Sequence, residues 1–284
     1  MQWPVTHKKI IDCSPRWRRY PGLSLLFDNP EGSWAPDGSL WRLDTSPDVM
    51  FYQAVDEAVT ASRLRALEGL CWLPFASLHV TALDTVHVGN VAELPPALQP
   101  EARRYLNRLP GSIRSASTPE SPAPKSPAPE SHKRPVPEQP APKQPAFVTD
   151  LQSSALTETH WPLAFEADQL VIWGASALAL RLRPAPGTEA AYQQFTRARE
   201  ALRQSYAERL GVAARAPYEP HVTLGYFAHP QAARHAQQAG GLGTVSSALR
   251  DKTAGATRLQ LARVGLYGFT DMATFYRFGA PPDR

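Results

Sequence analysis

Tyr218-Glu-Pro-His-Val-Thr-Leu224 contains a tripeptide, His221-Val-Thr223, that the chain has already used once, in His79-Val-Thr-Ala82. The same layout surrounds each copy. Upstream of the second lies an apolar strand candidate, Ala175–Arg183, then Thr188 as a candidate N-cap. From there to Gly211, the residues Tyr192, Phe195, Ala198, Leu202, Tyr206 and Leu210 recur at helical spacing on one stripe. Gly211 suits the residue just past a helix end, and a strand over about 219–227 follows. Upstream of the first copy, the strand is Leu23–Phe27 and the candidate N-cap is Ser46, with Pro47 and Asp48 suited to a first helical turn. Gly69 closes that helix, and a strand over about 75–83 follows. From N-cap to glycine is 23 positions in both copies, and from glycine to histidine is 10 in both. The apolar stripes do not match residue by residue, so layout repeats more than sequence. An internal duplication is the economical explanation. Beyond the second copy, Leu259–Phe269 and Ala273–Phe278 read as a hairpin about Thr270-Asp271-Met272.

Strand period turns this repeat into chemistry. Residues i and i+2 share a face, so His79 and Thr81 point one way while Leu78, Val80 and Ala82 point the other. By the same count His221, Thr223, Gly225 and Phe227 share a face, with Val222, Leu224 and Tyr226 opposed. If the halves pair about a pseudo-twofold axis, two imidazoles and two hydroxyls meet across one cleft. In-line displacement at phosphorus needs a base for the nucleophile and an acid for the leaving oxygen, roles two histidines fill without a metal. Thr81 and Thr223 can donate to the non-bridging oxygens. Symmetry leaves open which histidine is acid and which is base. A lone H-x-T is weak evidence; two at matched positions are strong.

The paired motifs HVTA (79–82) and HVTL (221–224) resemble the 2H phosphoesterase superfamily, which includes the RNA 2′-5′ ligase-like and 2′,3′-cyclic phosphodiesterase-like proteins. The setting of the second motif, from Tyr218, is especially similar. The resemblance spans roughly 20–110 and 160–280. It implies a bilobal, pseudo-twofold α+β fold with antiparallel sheets and helices on their outer faces. It also implies metal-independent hydrolysis of cyclic or 2′-linked phosphodiesters of RNA ends or small nucleotides, with ligation as a reverse reaction and no cofactor. The long stretch Asp28–Thr45 sets the chain apart from that pattern.

Composition bounds the remainder. Of the 29 prolines among 284 residues, ten fall between Ser115 and Ala146, amid Ser, Ala, Glu and Lys. Such a stretch has too little branched or aromatic surface for a core and favours extended polyproline II. It reads as a spacer, or as a ligand for an SH3-like groove. The expected organisation is a first lobe at 1–110, a proline-rich insertion at 111–148 and a second lobe at 149–284, the lobes forming one interrupted domain. The net charge is +4, and five Lys/Arg against three Glu within 111–146 leave +2 elsewhere. That is too little for a long-duplex binder. Two cysteines, Cys13 and Cys71, make no disulfide framework, and the start MQWPVTHKK has no apolar h-region. The longest apolar run, Leu170–Leu180, is 11 residues, against ~20 for a membrane span. These features point to a soluble, cytoplasmic protein.

Weaker candidates remain. Arg181 and Arg183 alternate with Leu178, Leu180 and Leu182, and either reach a substrate phosphate or line a solvated edge. Phe227 either stacks on a base or packs in the core. No metal-ligand cluster, Walker loop or nucleophile elbow is present. Two other function classes fit the sequence: a nucleotide-binding regulator without turnover, and an interaction protein recruiting partners through the proline-rich tether.

Overall fold

The structure is a computed structural model and describes residues 4–12, 16–28, 33–34, 40–43, 50–113, 144–212, 217–254 and 257–279. The candidate cap Ser46, with Pro47 and Asp48, and the proline-rich positions 114–143 lie outside these residues. A short antiparallel pair, β1 (Ile10–Asp12) and β2 (Arg16–Trp17), opens the chain. β3 (Gly22–Phe27) is buried along its whole length and is followed by the two-residue strands β4 (Ser33–Trp34) and β5 (Trp41–Arg42).

α1 (Met50–Ala61) buries Phe51, Tyr52, Val55, Ala58 and Val59, the stripe of an amphipathic helix. It ends well before Gly69. The Ser62 hydroxyl accepts from the Leu64 N–H at 3.1 Å and so starts a separate 3-10 turn, Arg63–Ala66. Serine offers the backbone this local alternative to a continuing helix. β6 (Leu70–Trp72) follows, and a second 3-10 turn over Phe75–Ser77 delays β7 (Thr81–His87), so the strand expected at 75–83 begins only at Thr81.

α2 (Gln99–Asn107), α3 (Ala146–Gln152) and the single turn α4 (Ala155–Glu158) come next. Phe147 and Val148 in α3 are buried, so the far end of the expected insertion belongs to the folded body. The hairpin β8 (Leu163–Trp173) and β9 (Ala177–Pro184) leads into α5 (Glu189–Leu210). α5 closes as expected on Gly211 at φ 68°, whose N–H donates to the Ala207 carbonyl at 2.8 Å. Its start differs: Thr188 flanks the helix, but its hydroxyl turns to the Ala185 carbonyl, 2.8 Å, and caps no N–H. β10 (His221–Phe227), α6 (Pro230–Gln238), α7 (Leu242–Thr253), β11 (Leu259–Leu261), β12 (Val264–Asp271) and β13 (Thr274–Arg277) complete the order.

Two antiparallel sheets result, ordered β4-β5-β13-β12-β3-β7 and β11-β8-β9-β10-β6. Each draws strands from both sides of the proline-rich stretch. β12 and β13 join the sheet of β3, while β6 joins β10, so the expected lobes 1–110 and 149–284 exchange strands. The expected hairpin also divides: β11 pairs with β8 in one sheet, and β12 pairs with β13 in the other. β6 approaches β10 so closely that a Cβ on Gly225 would stand 2.6 Å from the Cys71 carbonyl oxygen, which is why glycine sits there. Between the sheets Phe27 packs on Phe195 of α5 at 5.1 Å and on Phe165 of β8 at 6.4 Å, within one core cluster. α7 seals the edge of β8 beyond β11: Ser246 and Thr253 hydroxyls accept from the N–H groups of Leu170 (2.9 Å) and Ala167 (3.0 Å). Among the described residues no helix is long and apolar enough to cross a membrane.

Candidate active site

The two sheets touch where the repeated motifs lie. Val80 and Val222 form an isolated antiparallel bridge, and both are buried. That register sets His79 opposite Thr223 and Thr81 opposite His221, on the face away from the valines. All four of these side chains are half-buried.

Each motif is shaped by the same three contacts. First, each imidazole Nδ1 meets the carbonyl two residues earlier: His79 with Ser77 at 2.7 Å, His221 with Glu219 at 2.8 Å. A carbonyl only accepts, so in a neutral ring Nδ1 carries the proton and Nε2 holds the lone pair. Second, each ring rests against the edge of an aromatic: His79 on Phe275 at 4.6 Å, His221 on Trp173 at 4.4 Å. Third, each strand bulges at the residue after the threonine. β7 passes from Thr81 opposite Leu26 to Leu83 opposite Leu25, leaving Ala82 extra. β10 passes from Thr223 opposite Ala179 to Gly225 opposite Leu178, leaving Leu224 extra.

The bulges correct one expectation. They slip the alternation by one, so Asp84 and Tyr226, and not Leu83 and Phe227, follow the threonines onto their face. Phe227 is 0% exposed and belongs to the core. Tyr226, expected in the core, is half-buried. Strict period-two counting misses this. The signal that could have found it is the pair of consecutive core-type residues in each motif, Ala82-Leu83 and Leu224-Gly225.

Groups from the second half hold the backbone of the first motif. The Tyr218 hydroxyl donates to the Thr81 carbonyl at 3.0 Å, and burial raises its pKa, keeping it protonated. The buried Arg199 of α5 donates from Nε to the carbonyl of the bulged Ala82 at 2.7 Å and stacks over Tyr218 at 4.6 Å. These donors satisfy carbonyls that the β7 ladder leaves open at the bulge.

Arg181 stands directly opposite His221 in the β9–β10 register and shares its face; its guanidinium pairs with Asp168 at 3.1 Å. Arg183 instead pairs with the buried Glu166, which Arg258 also binds at 2.8 Å, a structural arrangement. Sequence reasoning missed Lys9, Asp84 and Tyr226. Lys9 comes from the N-terminal segment and lies 4.6 Å over the Tyr226 ring. Among the described residues no group of three His, Cys, Asp or Glu side chains could hold a metal ion.

Burial lowers the His79 pKa to about 4, with His221 and Lys9 lowering it further and the Ser77 carbonyl and Asp84 opposing. His7 and His87 are also brought to about 4, chiefly by burial. Folded, all three are neutral at pH 7; unfolded, they protonate near 6.5. Between those values the unfolded chain binds up to three more protons, so stability falls as pH drops from about 6.5 to 4. Urea midpoints measured from pH 7 to about 4.5 should decline accordingly; a flat midpoint through this window contradicts the burial of these rings.

No protein-family model matches the chain, and no curated protein matches it in sequence. Solved structures do. A conserved protein of unknown function from Agrobacterium tumefaciens aligns over 98% of this chain and 93% of its own, with a TM-score of 0.52 and 14% identity. Kluyveromyces marxianus Usb1 aligns over 91% of this chain and 97% of its own, with a TM-score of 0.39 and 14% identity. At these identities the likeness to the Agrobacterium protein is one of fold alone: an α+β arrangement of antiparallel sheets and helices.

Proposed function

We propose that this chain is a metal-independent 2H-type phosphodiesterase acting on cyclic or 2′-linked phosphodiesters of RNA ends or small nucleotides. The observation that carries the reading is the Val80–Val222 bridge, which brings two identically tethered imidazoles and two threonines to one seam. In this reading 1–110 and 149–284 form one interrupted domain about a pseudo-twofold axis. The matched carbonyl tethers, aromatic supports and bulges support it.

His79, held neutral, acts as the base. Its Nε2 takes the proton of an attacking water as the water oxygen bonds to phosphorus. His221, entering protonated, gives its Nε2 proton to the leaving oxygen as the opposite P–O bond breaks. Thr81 and Thr223 donate to the non-bridging oxygens, whose charge grows in the transition state. Arg181, beside His221 with its guanidinium paired to Asp168, turns its remaining N–H groups to the substrate phosphate.

The test incubates purified protein, in EDTA, with 2′,3′-cyclic nucleotides, 2′-5′ oligonucleotides and cyclic dinucleotides. Turnover of at least one is expected, with the acid limb of kcat/KM displaced below 6.5 toward the His79 value of about 4. No turnover of any contradicts the proposal, and nucleotide binding without turnover would make the chain a regulator.

A further inference from the structure

The N-terminal segment plays no part in the mechanism above, yet it packs beside the strand that carries the second motif. The Ala228 carbonyl, just past β10, accepts from the N–H groups of Thr6 at 2.9 Å and His7 at 3.0 Å. Ile10, Cys71 and Ala228 form a small buried cluster of their own, with Trp17 and Tyr226 packed against it. This anchorage carries Lys9 to the face that Asp84 and Tyr226 share with the two motifs. The Lys9 ammonium lies 4.6 Å from the Tyr226 ring centroid and 5.2 Å from that of Tyr20, and donates to the Tyr226 hydroxyl at 3.4 Å. Burial opposes its charge, but Tyr226, Asp84 and Tyr20 together raise its pKa, so it stays a cation.

The geometry says what such a group can bind. The Tyr226 ring is no open platform for a base: Lys9 lies over it, His7 tilts against it at 5.3 Å, and Trp17 meets it edge-on at 6.0 Å. What the cluster offers is donors, the remaining ammonium N–H groups and the Tyr226 O–H, and donors at a cationic centre select an anion. Tyr226 stands two strand steps, ~6.6 Å, beyond Thr223. That reach suits a neighbouring group on the substrate better than the phosphorus held by the threonines.

We propose that Lys9 and the Tyr226 hydroxyl form a subsite for a second phosphate flanking the scissile one, so that an oligonucleotide end is preferred over a mononucleotide. The proposal rests on the phosphodiesterase reading of the same cleft, and the experiment separates the two. Calorimetry compares a deoxydinucleoside monophosphate with the same molecule carrying one added flanking phosphate. Wild-type protein should bind the second about tenfold more tightly at low salt, the order expected of one charge-assisted contact. Lys9→Met should abolish the gain and Lys9→Arg should keep most of it. Tyr226→Phe, which retains the ring beneath Lys9, should lose part. The same gain in Lys9→Met as in wild type, or no gain in wild type, overturns the subsite. Turnover of cyclic nucleotides is followed in parallel. Turnover without a Lys9-dependent gain overturns the subsite and leaves the catalytic reading; a Lys9-dependent gain without turnover supports the subsite and overturns catalysis.

Discussion

Replacing either His79 or His221 with alanine is expected to lower turnover of a 2′,3′-cyclic phosphodiester by about 10²–10⁴-fold, the usual worth of a positioned acid or base. The expectation follows from the tether each ring makes. With Nδ1 committed to the carbonyl of Ser77 or Glu219, chemistry falls to Nε2 alone, and alanine removes it entirely. Neither ring is a main support of the fold. The core beneath the motifs is made by Val80 and Val222, which the substitutions leave in place. Single-turnover rates, with circular dichroism as a control, make the check. A variant that keeps native stability and near wild-type turnover removes that histidine from the mechanism.

The largest expected effect on stability lies away from the chemistry, at Asp28. Its carboxylate is buried and accepts three hydrogen bonds: from the Tyr267 hydroxyl at 2.7 Å and from Arg277 Nε and Nη2 at 3.0 and 2.8 Å. Gly265 makes room for it, since a Cβ there would stand 2.5 Å from Asp28 Oδ1. Asp28→Ala therefore takes the counter-charge from a mostly buried guanidinium and the acceptor from a buried phenol. Breaking a buried ion pair in this way costs ~3–5 kcal/mol, a large share of the ~5–15 kcal/mol that holds a domain together. The urea midpoint at pH 7 should fall to match. Adding Arg277→Met should recover part of the loss, because the double variant no longer buries the charge. A loss below ~1 kcal/mol for Asp28→Ala contradicts a buried, charge-bearing network. The network ties the end of β3 to β13, the strand that supplies Phe275 behind His79.

The local features of this fold were legible in the sequence. The helix ending at Gly211, the strands at 22–27, 177–184 and 221–227, and the shared face of each histidine with its threonine all follow from short-range pattern. What pattern could not supply is pairing between distant segments. That β6 leaves its own half to lie beside β10, and that β12 and β13 return to β3, depends on which sheet edges the folded chain leaves open. The 3-10 turns at 63–66 and 75–77 were hidden because Ser62 and Ser77 satisfy backbone groups locally in ways a hydrophobic period does not register. The bulges at Ala82 and Leu224 were hidden for a related reason. An extra residue leaves composition unchanged but turns every later side chain over, which exchanged the expected positions of Phe227 and Tyr226. Lys9 carries no motif at all; it reaches the site through the contacts of its segment with Ala228, Cys71 and Arg18.

The central claim is that two motifs, 142 positions apart, make one active site. The measurement that bears on it most directly is a double-mutant cycle: turnover of wild type, His79→Ala, His221→Ala and the double variant on one cyclic substrate. Residues that act as a unit are non-additive, so each single variant should fall nearly as far as the double. If either single variant keeps half or more of the wild-type rate, or if the two losses simply multiply, the motifs do not work as one acid–base pair and the account is wrong.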